Sequence, residues 1–305
     1  MASKMHAQAK VPEVVTDWLK VAFKKFSQPP PKVAKLPKLK RNALPHLYVL
    51  SIFDHHFGKY AWAPETGNNY DLRTAEQCYR KAFAELLERV ASFNIDLFVI
   101  PIGNDLIHYD SIKGRTANDT TLDSVDSRLH KIWGICSQMF VDLISPLTER
   151  AKVQLVYVPG NHDYHSSQVV YHYLAQYFRN NRRVITSSFE ETANFKQYIH
   201  YGCNLLGFTH GDTIKQPVNK LPIIMAEDNR EIWPQVTDKE WLLGHVHHKT
   251  KNQVLEIDST ILRHLPSLSG ADLWHVKNGY ISKRAAEAYL YSKSRGYVGH
   301  FSASP

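Results

Sequence analysis

Cysteine is scarce in this sequence, and what there is forms no pattern. Cys78, Cys136 and Cys203 are widely spaced with no CxxC pair. That argues against a disulfide scaffold or a zinc knuckle and for buried thiols in a reducing compartment. Long apolar runs are also missing. None approaches the roughly 20 residues of a membrane span, and the N-terminus has no compact apolar core followed by a small-residue cleavage site. The expectation from these absences is a cytoplasmic protein with no membrane partner. No internal repeat is present.

Most of the chain also lacks net charge. The formal charge is +8, from 37 Lys and Arg against 29 Asp and Glu. Residues 1–41 contain nine Lys and Arg41 against only Glu13 and Asp17, which accounts for the whole excess. A pI of 9.2 therefore describes an N-terminal extension and says nothing of a basic face on the folded body. The extension, residues 1–45, has a segment with Val14, Trp18, Phe23 and Phe26 near helical spacing. A Pro- and Lys-rich stretch, "QPPPKVAKLPKLKR", follows it. Such a tract can contact phosphate backbones or a partner, or serve as a solvated linker behind a docking helix.

What is present is a chain of 305 residues with 43% hydrophobic content, enough for a sizeable core. Strands alternate with helices: "HLYVLSIF", then the amphipathic "TAEQCYRKAFAELLERVASFN", "IDLFVIPIG", a long helix ending in "TERA", "KVQLVYVPG" and "SQVVYHYLAQYFRN". Shorter strands follow from about Val184. The pattern predicts an α/β layered core over residues 46–265. "SKRAAEAYLYSK" reads as a helix with aromatics on one face. Trp274, Tyr280 and Tyr297 surround it, giving an aromatic, helical extension over 266–305 packed on the core.

Five apolar runs end in the same kinds of polar residue. The first leads to Asp54 and His56, the second to Asp105, and the third to "GNHDYH" with Asn161, His162 and Asp163. The fourth leads to His210, and the fifth to His245 and His247. In open α/β sheets, ligands bind outside the carboxyl ends of strands. Seven oxygen or imidazole ligands suffice for two divalent cations that share one carboxylate.

In this order the motifs resemble those of the calcineurin-like metallophosphoesterase superfamily: D-x-H, G-D, G-N-H-D, a histidine, then G-H-x-H. The resemblance implies a layered sandwich of two mixed β-sheets flanked by helices. It also implies two divalent cations, with Mn²⁺ as the working choice and Fe or Zn²⁺ as alternatives. One cation takes Asp54, His56, Asp105 and His247, and the other takes Asp105, Asn161, His210 and His245. His162 then faces the substrate and protonates the leaving oxygen, while Asp163 orients the imidazole or braces the turn. The second motif departs from the family, reading Gly103-Asn104-Asp105. Either Asn104 fills the glycine position and Asp105 bridges, or Asn104 takes the aspartate position. A bridging ligand between dications favours the carboxylate.

Substrate contacts are expected from His108, which stands where the family has a second aspartate, and from Asp110, Lys113 and Arg115 in the long polar connection after it. Tyr164 and His165, next to the third motif, could flank a base or sugar. The GND variant and the aromatic C-terminus look like a nuclease-like subgroup of phage and prophage genomes. Three functions are consistent with these residues. The leading one is a nucleic-acid phosphodiesterase acting as a DNA exonuclease does. The others are a phosphatase or phosphodiesterase for small nucleotides, cyclic nucleotides or phosphoproteins, and a non-catalytic scaffold.

Overall fold

The computed structural model describes residues 43–122, 125–212, 218–246, 254–279 and 283–305. The N-terminal extension up to residue 42, His247 and Tyr280 lie outside the described residues.

Two mixed β-sheets stack face to face, with helices on their outer sides. The six-stranded sheet has the order β11-β10-β1-β2-β3-β4. Its strands are β1 (His46–Ser51), β2 (Ile95–Gly103), β3 (Lys152–Val158), β4 (Val184–Ile185), β10 (Ala286–Ser292) and β11 (Gly296–Ala303). β1 to β4 run parallel, and β10 joins β1 antiparallel. The five-stranded sheet has the order β5-β6-β7-β9-β8. It contains β5 (Gln197–Tyr201), β6 (Asn204–Thr209), β7 (Asp238–Leu243), β8 (Val254–Ile257) and β9 (Thr260–His264).

The helices in chain order are α1 (Ala63–Thr66), α2 (Leu72–Arg89), α3 (Leu129–Thr148), α4 (Tyr164–Tyr177), α5 (Leu221–Asp228) and α6 (Leu273–Lys277). Asp71 starts α2 by accepting from the Thr74 backbone N–H, which satisfies one of the unpaired donors of the first turn.

Period-two alternation sorts the strand residues into layers. Tyr48, Leu50, Phe98, Ile100 and Leu155 pack against α2, α3 and α4. Leu47, Val49, Val99 and Val156 turn the other way, to meet Leu206, Phe208 and Leu242 of the second sheet. On that sheet's far side, Trp241, Leu243 and Leu262 bury Leu221 and Met225 of α5. Both faces of the inner strands are covered, which is why they read as nearly continuous apolar runs.

The C-terminal helix expected over "SKRAAEAYLYSK" is a strand instead. β10 lies between β1 and β11 inside the sheet. Ala286, Ala288 and Leu290 face the helices, while Tyr289 and Tyr291 face the second sheet. Alanine and glutamate favour a helix locally, but pairing with β1 on one side and β11 on the other, with burial of both faces, decides the outcome.

Candidate metal centre

The carboxyl ends of β1, β2, β3, β6 and β7 meet along one edge of the sandwich, and the polar residues of all five runs gather there. The segments after β1 and β2 hold one another in register. The backbone N–H groups of Asp54, His56 and Phe57 donate to the carbonyls of Asn104, Asp105 and Leu106, at 2.9, 3.0 and 2.7 Å. Asp54 is in turn tied to the other sheet, because the His245 N–H lies 3.1 Å from each of its carboxylate oxygens.

The backbone is strained where the chemistry sits. Asp54, His56, Asn104, Asp105 and His245 have φ of +51, +55, +56, +57 and +71°. Asp, Asn and His tolerate this left-handed region better than other side chains do, yet each such residue costs on the order of 1–3 kcal/mol. Gly160 has a different reason to be glycine. A Cβ there would stand 2.0 Å from Asp105 Oδ1, so the third-motif turn can approach the carboxylate only without a side chain.

Four side chains expected to share a cation converge. Asn161 Oδ1 is 2.9 Å from His210 Nε2 and 3.0 Å from His245 Nδ1. Asp105 Oδ2 is 3.2 Å from the same His210 nitrogen, without a hydrogen bond. Two imidazoles, an amide oxygen and a buried carboxylate oxygen with no hydrogen bond suit a divalent cation. Asp54, Asp105 and His210 form a group whose ligand atoms lie within 4.8 Å of one another. His56, His108 and His162 form a second such group. The two groups are consistent with a dinuclear centre. His56 thus lies in the second group, while Asp54 and Asp105, expected to share its cation, lie in the first.

The electrostatics follow from burial. Burial works against a charged His210, but the Asp105 and Asp54 carboxylates outweigh it and push its pKa up to about 9. Burial alone would raise Asp105, yet His210 and then His162 hold it well below the usual carboxylate range. Burial, followed by the neighbouring His162, keeps the His108 imidazole well below its ordinary value.

Asn104 points its side-chain oxygen at His210 Nδ1, 2.5 Å away. His162 Nδ1 donates to the His108 carbonyl at 2.7 Å, which leaves Nε2 as the free nitrogen. Asp163 does not orient that imidazole. It is fully buried and accepts from the N–H groups of Ile107 and Gly160, so it braces the turn. Burial, then the charge of Asp105, raises its carboxyl well above the usual range.

The expected substrate residues divide. The His108 side chain is buried against His56 and His162. The two carboxylate oxygens of Asp110 accept from the N–H groups of His165 and Ser166 in the first turn of α4. Arg115 pairs with Asp119, and Lys113 is exposed. Tyr164 stacks on Phe195 at 5.5 Å beside the exposed His165, forming an aromatic edge next to the third motif.

Sequence patterns did not reveal the support behind Asp54. Ser267 Oγ donates to the Asp54 carbonyl at 2.6 Å and meets Ser269 Oγ at 2.9 Å. The buried Lys59 ammonium donates to Ser269 Oγ and the Gly270 carbonyl and pairs with Asp272 at 3.5 Å. These partners lie more than 200 residues apart along the chain, and no local signal joins them.

Among solved structures, Vps29 of Chaetomium thermophilum is 9% identical with a TM-score of 0.35, covering 85% of this chain and 96% of that one. A double mutant of Vps29 from Entamoeba histolytica is 16% identical with a TM-score of 0.25, covering 54% and 88%. Purple acid phosphatase PPD1 from yellow lupin is 12% identical with a TM-score of 0.35, covering 88% and 55%. No curated protein matches the sequence significantly. The family model for calcineurin-like phosphoesterases matches residues 49–277, three-quarters of the sequence, and the chain belongs to that family.

Proposed function

We propose that the protein hydrolyses phosphodiester bonds in nucleic acid with two divalent cations. The convergence of Asp105, His210 and His245 around Asn161 Oδ1 carries the reading. Asp54, His56, Asp105, Asn161, His210 and His245 would hold the cations, and His247 would complete the set. Two such ions, when bound, supply Lewis acidity and a nucleophilic water. The residues themselves orient and move protons. Asn104 fixes the His210 ring, the His245 N–H steadies the Asp54 carboxylate, and His162 presents Nε2 to protonate the leaving oxygen. Nucleic acid is favoured over a small ester by the ten basic residues of the N-terminal extension and by the Tyr164–Phe195 edge, which offers a face for base stacking.

The test is a cleavage time course with Mn²⁺. End-labelled single- and double-stranded DNA run beside a small chromogenic phosphodiester, with Asp105→Ala as the blank. Cleavage of DNA by the wild type alone is the expected result. Hydrolysis of the small diester alone would keep the catalytic centre and overturn the nucleic-acid assignment. Failure on every substrate would overturn both.

A further inference from the structure

The imidazoles of His56, His108 and His162 make up a cluster that the family's ligand pattern does not use as a set. Each offers a nitrogen within 4.8 Å of the other two. The ring centroids of His56 and His162 are 4.8 Å apart, and His108 lies parallel to His162 at 5.2 Å. His56 Nδ1 and His108 Nδ1 are separated by 3.4 Å. That is longer than most hydrogen bonds. It matches two nitrogens on one tetrahedral zinc, which at bond lengths of about 2.05 Å stand roughly 3.3–3.4 Å apart. The hydrogen bond from His162 Nδ1 to the His108 carbonyl occupies one nitrogen and leaves Nε2 as that ring's ligand atom. Among the described residues no carboxylate belongs to the group, and His56 and His108 are buried while His162 is partly open.

We propose that these three histidines form an alternative cation position selective for zinc-class ions, competing with the carboxylate-containing arrangement for His56 and withdrawing His162 from proton transfer. Nitrogen-only sets favour Zn²⁺ over Mn²⁺ both by ligand type and by the general affinity order of divalent metals. Three imidazoles with an open fourth position are a known arrangement for zinc. His108 creates the site, because His56 and His162 alone would give only two nitrogens. Zinc held here excludes the productive use of His56, so excess zinc inhibits a manganese-loaded protein. Zinc binding at these three histidines is read without turnover.

Equilibrium dialysis of the metal-free full-length chain measures Zn²⁺ and Mn²⁺ affinity separately for wild type, His108→Phe and His108→Asn, with circular dichroism to confirm folding. Zinc affinity is expected to fall on the order of tenfold or more in both variants, while manganese affinity changes by less than about threefold. A parallel fall for both cations, or an unchanged zinc affinity, would overturn the proposal. X-ray absorption at the zinc edge of the wild type loaded with one equivalent needs no variant. Scattering dominated by three imidazoles is expected, and a shell dominated by carboxylate oxygen overturns the site.

Discussion

His210 Nδ1 lies 2.5 Å from the side-chain oxygen of Asn104, so one hydrogen bond joins the end of β6 in the second sheet to the end of β2 in the first. An amide oxygen only accepts, which puts the imidazole proton on Nδ1 and aims Nε2 at Asp105 and Asn161. Asn104 holds a φ of +56°. Asn104→Gly should therefore act in two directions. It relieves left-handed strain, so the thermal midpoint of the metal-free protein should hold or rise. It also frees the His210 ring, so Mn²⁺ affinity should fall about 10–100-fold. Calorimetric titration beside a melting curve reads both, and an unchanged affinity would mean that other contacts hold His210.

The His210–Asp105 pair sets a pH dependence whose sign reverses with metal. In the metal-free protein the His210 pKa is about 9, against an ordinary value of 6.5. Its contribution to stability is fully present below 6.5 and is lost as the pH rises through about 9. Asp105 describes the same pair from the acid side. Its depressed pKa contributes above the unfolded carboxylate value and is lost as the pH falls through the folded one. Cation binding must displace the proton from Nε2. Mn²⁺ affinity should rise from about pH 6 to about pH 9, with up to one proton released from His210 at neutral pH. Titration calorimetry in buffers of different ionisation enthalpy counts that proton.

The metal-centre motifs were legible because each is local. Asp54, Asp105, Asn161, His210 and His245 each follow an apolar run within a few residues. The hydrogen bonds of Asp110 to the N–H groups of His165 and Ser166 had no local signal, because they are set by how a long loop closes onto α4. β10 was misread because burial on both faces hides its alternation and its alanines suggest a helix. It follows that the fold needs more than the span matched by the family. A chain ending at Lys283 loses β10 and β11 and exposes the edge of β1, and so should not fold cooperatively. Urea denaturation of the shortened chain tests this, and a sigmoidal transition like the full chain's would contradict it.

Lys59 is a buried cation whose charge is met by Asp272 at 3.5 Å. Burial depresses its pKa, and Asp272 opposes the shift. Lys59→Met keeps the length of the side chain but leaves the Asp272 carboxylate with only His275, 2.7 Å from its Oδ1, to offset its charge, which should cost about 1–3 kcal/mol. Adding Asp272→Asn should recover part of that loss, because the pair then fails together. Denaturant midpoints of the single and double variants give the coupling. Additive losses would show that the ammonium acts through Ser269 and Gly270 alone.

His162 separates metal binding from proton transfer. Its Nδ1 is held by the His108 carbonyl, and neither nitrogen is needed for the cation set around Asn161. His162→Ala should keep Mn²⁺ affinity within about threefold while turnover on nucleic acid falls about 10²–10⁴-fold. The size of the fall should depend on the leaving group. A nitrophenolate departs without a proton, so a nitrophenyl diester should lose much less than a substrate releasing a sugar alkoxide. Equal losses on both would mean that His162 stabilises charge on the phosphoryl group instead of protonating the leaving oxygen. Loss of bound metal would mean that it is a ligand of the productive centre.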